Sequence, residues 1–306
     1  MTPTDTKIKV DVVPNAPRRR LAIGKWSTNL VLTFVGVVVL IPALWMMIAP
    51  SKDREGLVKL NPLAFGSFSS YSTRWHNLLL FDNGVITTWI KNSVVYCVAI
   101  VIISVFTSLM AGFALAAINI RFKRAILIVI MIAMIIPAVA LVMPLFVWMD
   151  KLHLTDTAIG LILVSSLYPF GVFLSYIHFS TVVPRELYEA AKIDGCGYFK
   201  IFRKIALPIS KGLIGLISFF AFTGAWNNFF VPQVLILTES KAPLSSGLTI
   251  LFNATPAFTG NSSSILPIER SEIALSAMLI TVPIIILFLF SQKFLSRGML
   301  AGSVKS

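Results

Sequence analysis

SVVYCVAIVIISVFTSLMAGFALAAI, residues 93–118, carries no charged side chain in twenty-six positions. About 20 mostly apolar residues in a helix cross the ~30 Å hydrocarbon core of a bilayer, so this run reads as a membrane span. Five more runs meet the same criterion: Thr28 to Ile48, Ala125 to Met149, Ala158 to Phe179, Leu213 to Leu237 and Ile273 to Phe294. The expected fold is all-α, a polytopic membrane protein with six transmembrane helices. Pro42, Pro137, Pro144, Pro169, Pro232 and Pro283 fall inside these runs. Each removes a backbone donor and bends its helix, which fits both ordinary membrane-helix packing and bending beside a pathway.

The composition agrees with the spans. Of 306 residues 57% are hydrophobic and 13% charged, with a mean hydropathy of +0.86. A soluble domain of this size needs more charge to cover its surface. The net charge of +13 would suggest nucleic acid in a soluble chain. Here the cations lie between apolar runs, so they report topology, and no nucleic-acid partner is expected. Met1 to Arg20 is polar and lacks the apolar core of a signal peptide, so the first apolar run is expected to stay in the membrane. Cys97 lies in a span and Cys196 in a basic loop, and no disulfide is expected.

Lysine and arginine placement sets the orientation. With the N-terminus in the cytoplasm, the inside segments hold 18 of the 26 cations and the outside segments 8. Both termini are then cytoplasmic, with residues 1–26 and 297–306 as tails around a membrane domain at 27–296. The longest inside loop spans 181–211.

What is missing narrows the function. All 13 acidic residues lie outside the spans or at their edges, Glu272 being nearest, and no lysine or arginine sits mid-span. An ion-coupled transporter would need such a group, or carbonyl-lined discontinuous helices. Gly24-Lys25 is followed by Trp26, so there is no phosphate-binding P-loop. His76, His153 and His178 are isolated, and neither a metal-ligand set nor a hydrolase constellation is visible. The chain reads as a non-catalytic transporter whose energy comes from a partner.

The 181–211 loop is the informative one. Pro184-Arg185-Glu186-Leu187-Tyr188-Glu189-Ala190-Ala191-Lys192-Ile193-Asp194-Gly195 starts with proline and ends with glycine, as a short helix does. Leu187, Ala190, Ala191 and Asp194 follow three-four spacing, so one face is small and largely apolar. Glu189 with Lys192, and Arg185 with Glu189, are expected to pair on the exposed side. Phe199, Phe202, Ile205 and Ala206 repeat at helical spacing in a second segment, opposite Lys200, Arg203 and Lys204, before Leu207-Pro208. Spacing alone leaves two readings open: a helix on the bilayer surface, or a face for another protein.

Glu189-Ala190-Ala191, three residues, Gly195, nine residues, then Ile205-Ala206-Leu207-Pro208 resembles the EAA loop of importer permeases of the ATP-binding-cassette type. Asp194, Asn92-Ser93, Trp226-Asn227-Asn228 and the ending Gly298 to Lys305 are similar to the carbohydrate branch, most closely the second permease of maltose-type transporters. The likeness runs from about Asn92 to Lys305. It implies a second, different permease, an ATPase dimer that binds ATP and Mg, an extracytoplasmic solute-binding protein and a carbohydrate solute. It also implies ATPase-coupling roles for Glu189, Ala190, Ala191, Asp194, Gly195, Leu207 and Pro208, and an ATPase-contacting tail at Gly302, Ser303, Val304 and Lys305. Trp226, Asn227 and Asn228 stand as pathway candidates. The amides need partners inside a bilayer, whereas Trp226, Phe229 and Phe230 fit packing as well as stacking on a sugar. The expected location is the cytoplasmic membrane of a bacterium or archaeon.

Overall fold

The computed structural model describes residues 18–253, 255 and 268–300, and among these the chain is helical with no strand. Three helices are each long and apolar enough to cross a membrane: α1 (Arg18–Ile48), α4 (Val85–Ala117) and α15 (Arg270–Leu300). Between α1 and α4 lie two short helices, α2 (Arg54–Lys59) and α3 (Phe68–Leu80). A left-handed stretch, Asp82 (φ 41°), Asn83 (φ 53°) and Gly84 (φ 81°), separates α3 from α4. These residue types enter that region most readily.

The remaining crossings are bent pairs. Helices α5 (Lys123–Ile135) and α6 (Ala138–Lys151) meet at 107°, and α7 (Ala158–Ser165) and α8 (Pro169–Thr181) at 42°. The third pair joins the segment Tyr198–Ile209 to α12 (Lys211–Asn227) at 83°. Counting each pair once gives six spans. The expected third run, Ala125 to Met149, is therefore no straight rod. Pro137 forces Ile136 into an extended conformation (ψ 125°) and the helix stops there. The fifth run also divides. Asn228 is extended (ψ 111°), and a short helix, α13 (Phe230–Leu235), restarts beyond it.

Helix α4 is the hub, packed most extensively against α8 and next against α12, which also lies on α15. Its N-terminal end organises a loop from far along the chain. Trp89 Nε1 donates to the Glu239 carbonyl (2.8 Å), and Asn92 Nδ2 donates to the carbonyls of Ser240 (2.9 Å) and Ala242 (3.0 Å). Ser93 Oγ accepts from the Leu244 amide at 2.7 Å. That bond fixes the start of α14 (Leu244–Asn253), which packs between α4 and α15. The same loop is held from the other side by Asp156, whose carboxylate accepts from Lys241 Nζ (2.6 Å) and the Thr238 amide (2.9 Å). Lys241 first, then the amide donors, keep this carboxyl well below the usual carboxylate range.

Glu272, expected at the edge of the last span, is fully buried at the α2–α3 end of the bundle. Its carboxylate accepts from Arg74 Nη1 (2.9 Å), Asn77 Nδ2 (2.8 Å) and the Glu269 amide (3.1 Å). Nearby Lys52 is also buried, its Nζ donating to the carbonyls of Asn61 (2.7 Å) and Pro62 (2.9 Å). The network ties α3 to the start of α15. Removing one partner of a buried ion pair strands the other charge, at about 3–5 kcal/mol. Glu272→Leu is expected to lower the thermal unfolding midpoint of the extracted protein sharply, and Arg74→Met in the same chain to restore much of it. An unchanged midpoint in Glu272→Leu would show that the pair does not hold this end together.

Candidate functional site

The first element of the 181–211 loop is α9 (Arg185–Ile193), nine residues or about 14 Å. Pro184 precedes it in an extended conformation (ψ 137°). Its C-terminus is a Schellman motif. The Gly195 amide donates to the Lys192 carbonyl and the Cys196 amide to the Ala191 carbonyl, both at 2.9 Å, with Gly195 at φ 73°. The expected joint at Gly195 is thus a left-handed cap that turns the chain into the next helix.

Spacing alone leaves open which stripe of α9 turns inward. Tyr188 and Ala191 are buried, while Leu187, Glu189, Ala190 and Asp194 are exposed. A short helix buries only one stripe, and the ring of Tyr188 takes that place because an aromatic pocket exists for it. Phe113 on α4 forms the pocket's centre, its ring centroid 5.7 Å from those of Phe179 and Tyr188 and 5.2 Å from Phe202. Leu109, Val183, Ile201, Ala206, Leu213 and Ile217 complete this core. The loop is therefore built into the ends of α4, α8 and α12. Among the described residues no ion pair joins Glu189 to Lys192 or Arg185. Lys192 instead lies 4.7 Å over the Tyr198 ring.

The second element also departs from a plain amphipathic helix. It begins with α10 (Tyr198–Ile201), widens into a π-turn over Phe202–Ala206, and closes with α11 (Leu207–Ile209). In an ordinary α-turn the ring of Pro208 would press on the Lys204 carbonyl, and the wider turn relieves this. The turn shifts the helical phase. Ile201, Phe202 and Ala206 are buried, Ile205 and Leu207 are half-buried, and Phe199 and Pro208 are exposed. With Tyr188 and Ala191 turned inward, the outward surface of α9 presents Ala190, Leu187 and Ile193, the last 87% exposed. An exposed apolar strip on a rigidly seated helix suits docking against protein. Gly302 to Lys305 lie outside the described residues.

Trp226, Asn227 and Asn228 sit where α12 stops, and each does something different. Trp226 is buried and donates from Nε1 to the Ile280 carbonyl on α15 (2.9 Å). Asn228 Oδ1 accepts from the Val231 amide (3.2 Å), capping the start of α13, while its carbonyl accepts from Ser245 Oγ (2.8 Å). Asn227 is exposed and lines an open cavity of 390 Å³ together with Phe229, Ser245, Leu248, Thr249, Phe252 and Ile280. One amide, two hydroxyls and two aromatic rings converge there among mainly apolar walls. Sequence reading missed Ser245, Thr249 and Phe252, and also Phe113, Phe179 and Tyr188. Nothing in a single span marks residues that meet only after distant elements pack together.

The model of the family described as binding-protein-dependent transport system inner membrane component matches residues 104–301. Among curated relatives, the arabinooligosaccharides transport system permease protein AraQ of Halalkalibacterium halodurans is 32% identical over 94% of this chain and 99% of its own length. The maltodextrin transport system permease protein MdxG of Bacillus subtilis is 28% identical over 95% of this chain and 99% of its own. A crystal structure of a bacterial ABC transporter involved in the import of the acidic polysaccharide alginate contains a chain of the same fold. That chain has a TM-score of 0.74 at 22% identity, over 92% of this chain and 99% of the other.

Proposed function

Because this chain belongs to the family of inner membrane components of binding-protein-dependent transport systems, we propose that it forms one membrane half of an ATP-driven carbohydrate importer. Its partners are a second, different permease, an ATPase dimer and an extracytoplasmic solute-binding protein. ATP and Mg bind the ATPase, and this chain performs no chemistry. The observation that carries the reading is the seating of α9. Its exposed Leu187, Ala190 and Ile193 face outward while Tyr188 and Ala191 lock it to α4, α8 and α12. A push on that strip is transmitted to three spans at once. Carbohydrate is supported by the solutes named for AraQ and MdxG, and Asn227, Ser245 and Thr249 offer polar groups among the apolar and aromatic walls of the cavity. Reconstitution with the cognate subunits tests it. ATP-dependent uptake of an oligosaccharide is expected, and uptake driven by an ion gradient without ATP would overturn it.

Two expectations follow for residues in this chain. The α9–α10 end faces the cytoplasm, by the placement of 18 of 26 cations. In a Cys196→Ser background, Ala190→Cys is expected to resist an impermeant thiol reagent on intact cells and to react once they are permeabilised. Labelling from outside would reverse the topology. Asn227→Leu removes one amide from the cavity wall. A hydrogen bond contributes about 0.5–1.5 kcal/mol net, and 1.36 kcal/mol is tenfold in rate. Uptake by the assembled complex is thus expected to fall roughly twofold to tenfold, with ATPase contact unchanged. Undiminished uptake would remove Asn227 from the pathway.

A further inference from the structure

An apolar groove of 150 Å³ opens at the α9–α10 end of the bundle, between Met110 and Ala114 on α4, Ile118 just past its end, and Tyr198, Phe199 and Phe202 of the second loop element. Met110 and Ala114 are four residues apart on the last turns of α4, and Ile118 follows in an extended conformation just past its end. The Tyr198 hydroxyl is the only side-chain polar atom among these six. Phe199, 63% exposed, stands at the rim.

One cation touches a wall of this groove, and three more lie close to its wall residues in the chain. Lys192 Nζ sits 4.7 Å over the ring of Tyr198, itself a wall residue. Lys200 and Arg203 are exposed and follow Phe199 and Phe202 directly in the chain, and Arg121 lies three residues beyond Ile118. Among the described residues none of the four is within 4.0 Å of a carboxylate. A soluble anion would satisfy these charges and leave the apolar walls wet. A zwitterionic lipid would fill the walls and leave the cations without a net counter-charge. An amphiphile with an apolar tail and an anionic head meets both demands.

We infer that this groove is a binding site for an anionic phospholipid, with a stretch of acyl chain between α4 and Phe199 and the phosphate head among Lys192, Lys200, Arg203 and Arg121. The lipid would lie against the same Phe202 that seats the loop on Phe113. It would thus join the span to the loop element from the bilayer side, apart from the Ala190–Ile193 face.

The test uses the full-length chain, purified with its associated subunits and equilibrated with phosphatidylglycerol and phosphatidylcholine of identical chains in equal amounts. Native mass spectrometry reads what is retained. Wild type is expected to keep phosphatidylglycerol several-fold over phosphatidylcholine. Lys200→Gln with Arg203→Gln should bring the two toward parity, and Ala114→Phe, which fills the groove, should lose both. Should Ala114→Phe fail to fold, the surface pair decides alone. Equal retention of both lipids by wild type would overturn the inference, as would undiminished selectivity in the double variant. Displacement of the lipid by inorganic phosphate would also overturn it, since it would mark a site for the head alone. So would a photoreactive phenylalanine analogue at position 199 that labels protein instead of lipid.

Discussion

Gly195→Val is expected to leave the chain inserted and assembled while solute uptake falls at least tenfold and ATP hydrolysis continues without it. Gly195 stands at φ 73°, and nothing lies within 4 Å of where its Cβ would be. The penalty is therefore one of backbone conformation alone. A β-branched residue held in the left-handed region costs about 1–3 kcal/mol. That is enough to undo the bonds from the Gly195 and Cys196 amides that close α9, and too little to unfold the membrane bundle. A graded series checks the cause. Gly195→Asn should be mild, because asparagine enters this region readily, Gly195→Ala intermediate, and Gly195→Val the most severe. Ala190→Trp reaches the same phenotype by another route. Ala190 is exposed, so a large ring there leaves the core intact and holds a docking partner away. Assembly, ATPase rate and uptake are read together in reconstituted vesicles. Normal values for all three in both variants would show that α9 transmits nothing.

The other large effect concerns the α4–α8 crossing. Gly112→Val should abolish recovery of folded protein from membranes. A Cβ on Gly112 would fall 2.3 Å from Ser175 Cβ and 2.7 Å from the Tyr176 backbone nitrogen. The obstacle includes backbone, so no rotamer change relieves it and the two helices must separate. Overpacking costs about 1–3 kcal/mol where side chains can adjust, and more is expected here. On α8 a Cβ on Gly171 would meet Ser108 Oγ at 2.4 Å and the Tyr168 ring at 2.5 Å, side-chain atoms that can shift, so a milder effect is expected there. Ser104, Ser108 and Gly112 on α4, and Gly171 and Ser175 on α8, recur every fourth residue. Such spacing lets membrane helices approach closely. Gly36→Val is the internal control, because nothing lies within 4 Å of its Cβ site. A Gly112→Val protein with a wild-type unfolding midpoint would show that the close crossing is not needed.

The membrane class, the six apolar runs and the joint at Gly195 were legible in the chain itself. Each rests on interactions local in sequence. An uninterrupted apolar run, a proline and a glycine eleven residues apart, and the Glu189 to Pro208 spacing all state their meaning within a few turns. The same locality explains the corrections. Spacing showed that α9 has a small apolar face, but which stripe turns inward depended on the pocket around Phe113, 75 residues upstream of Tyr188. The phase of the second element depended on the π-turn before Pro208. Asn228 lay in a run apolar enough to continue as one span. The helix breaks there because its side chain caps α13 and its carbonyl takes the hydroxyl of Ser245 on α14.

Glu272 is the clearest instance of what only the tertiary structure decides. In the sequence it is a carboxylate at the foot of an apolar run, indistinguishable from one facing water. Its partners Arg74 and Asn77 lie 198 and 195 residues away. Residues so far apart leave no periodic trace, since hydrophobic patterning records which face of an element is buried and not what it is buried against. The same holds for the cavity beside Asn227, whose walls come from the end of α12, Phe229 beyond it, the length of α14 and Ile280 on α15. Pattern and caps set the elements of this protein. The pairings of polar groups across the bundle, and with them both candidate sites, were fixed only when distant helices came to share the few buried positions where each polar atom finds a partner.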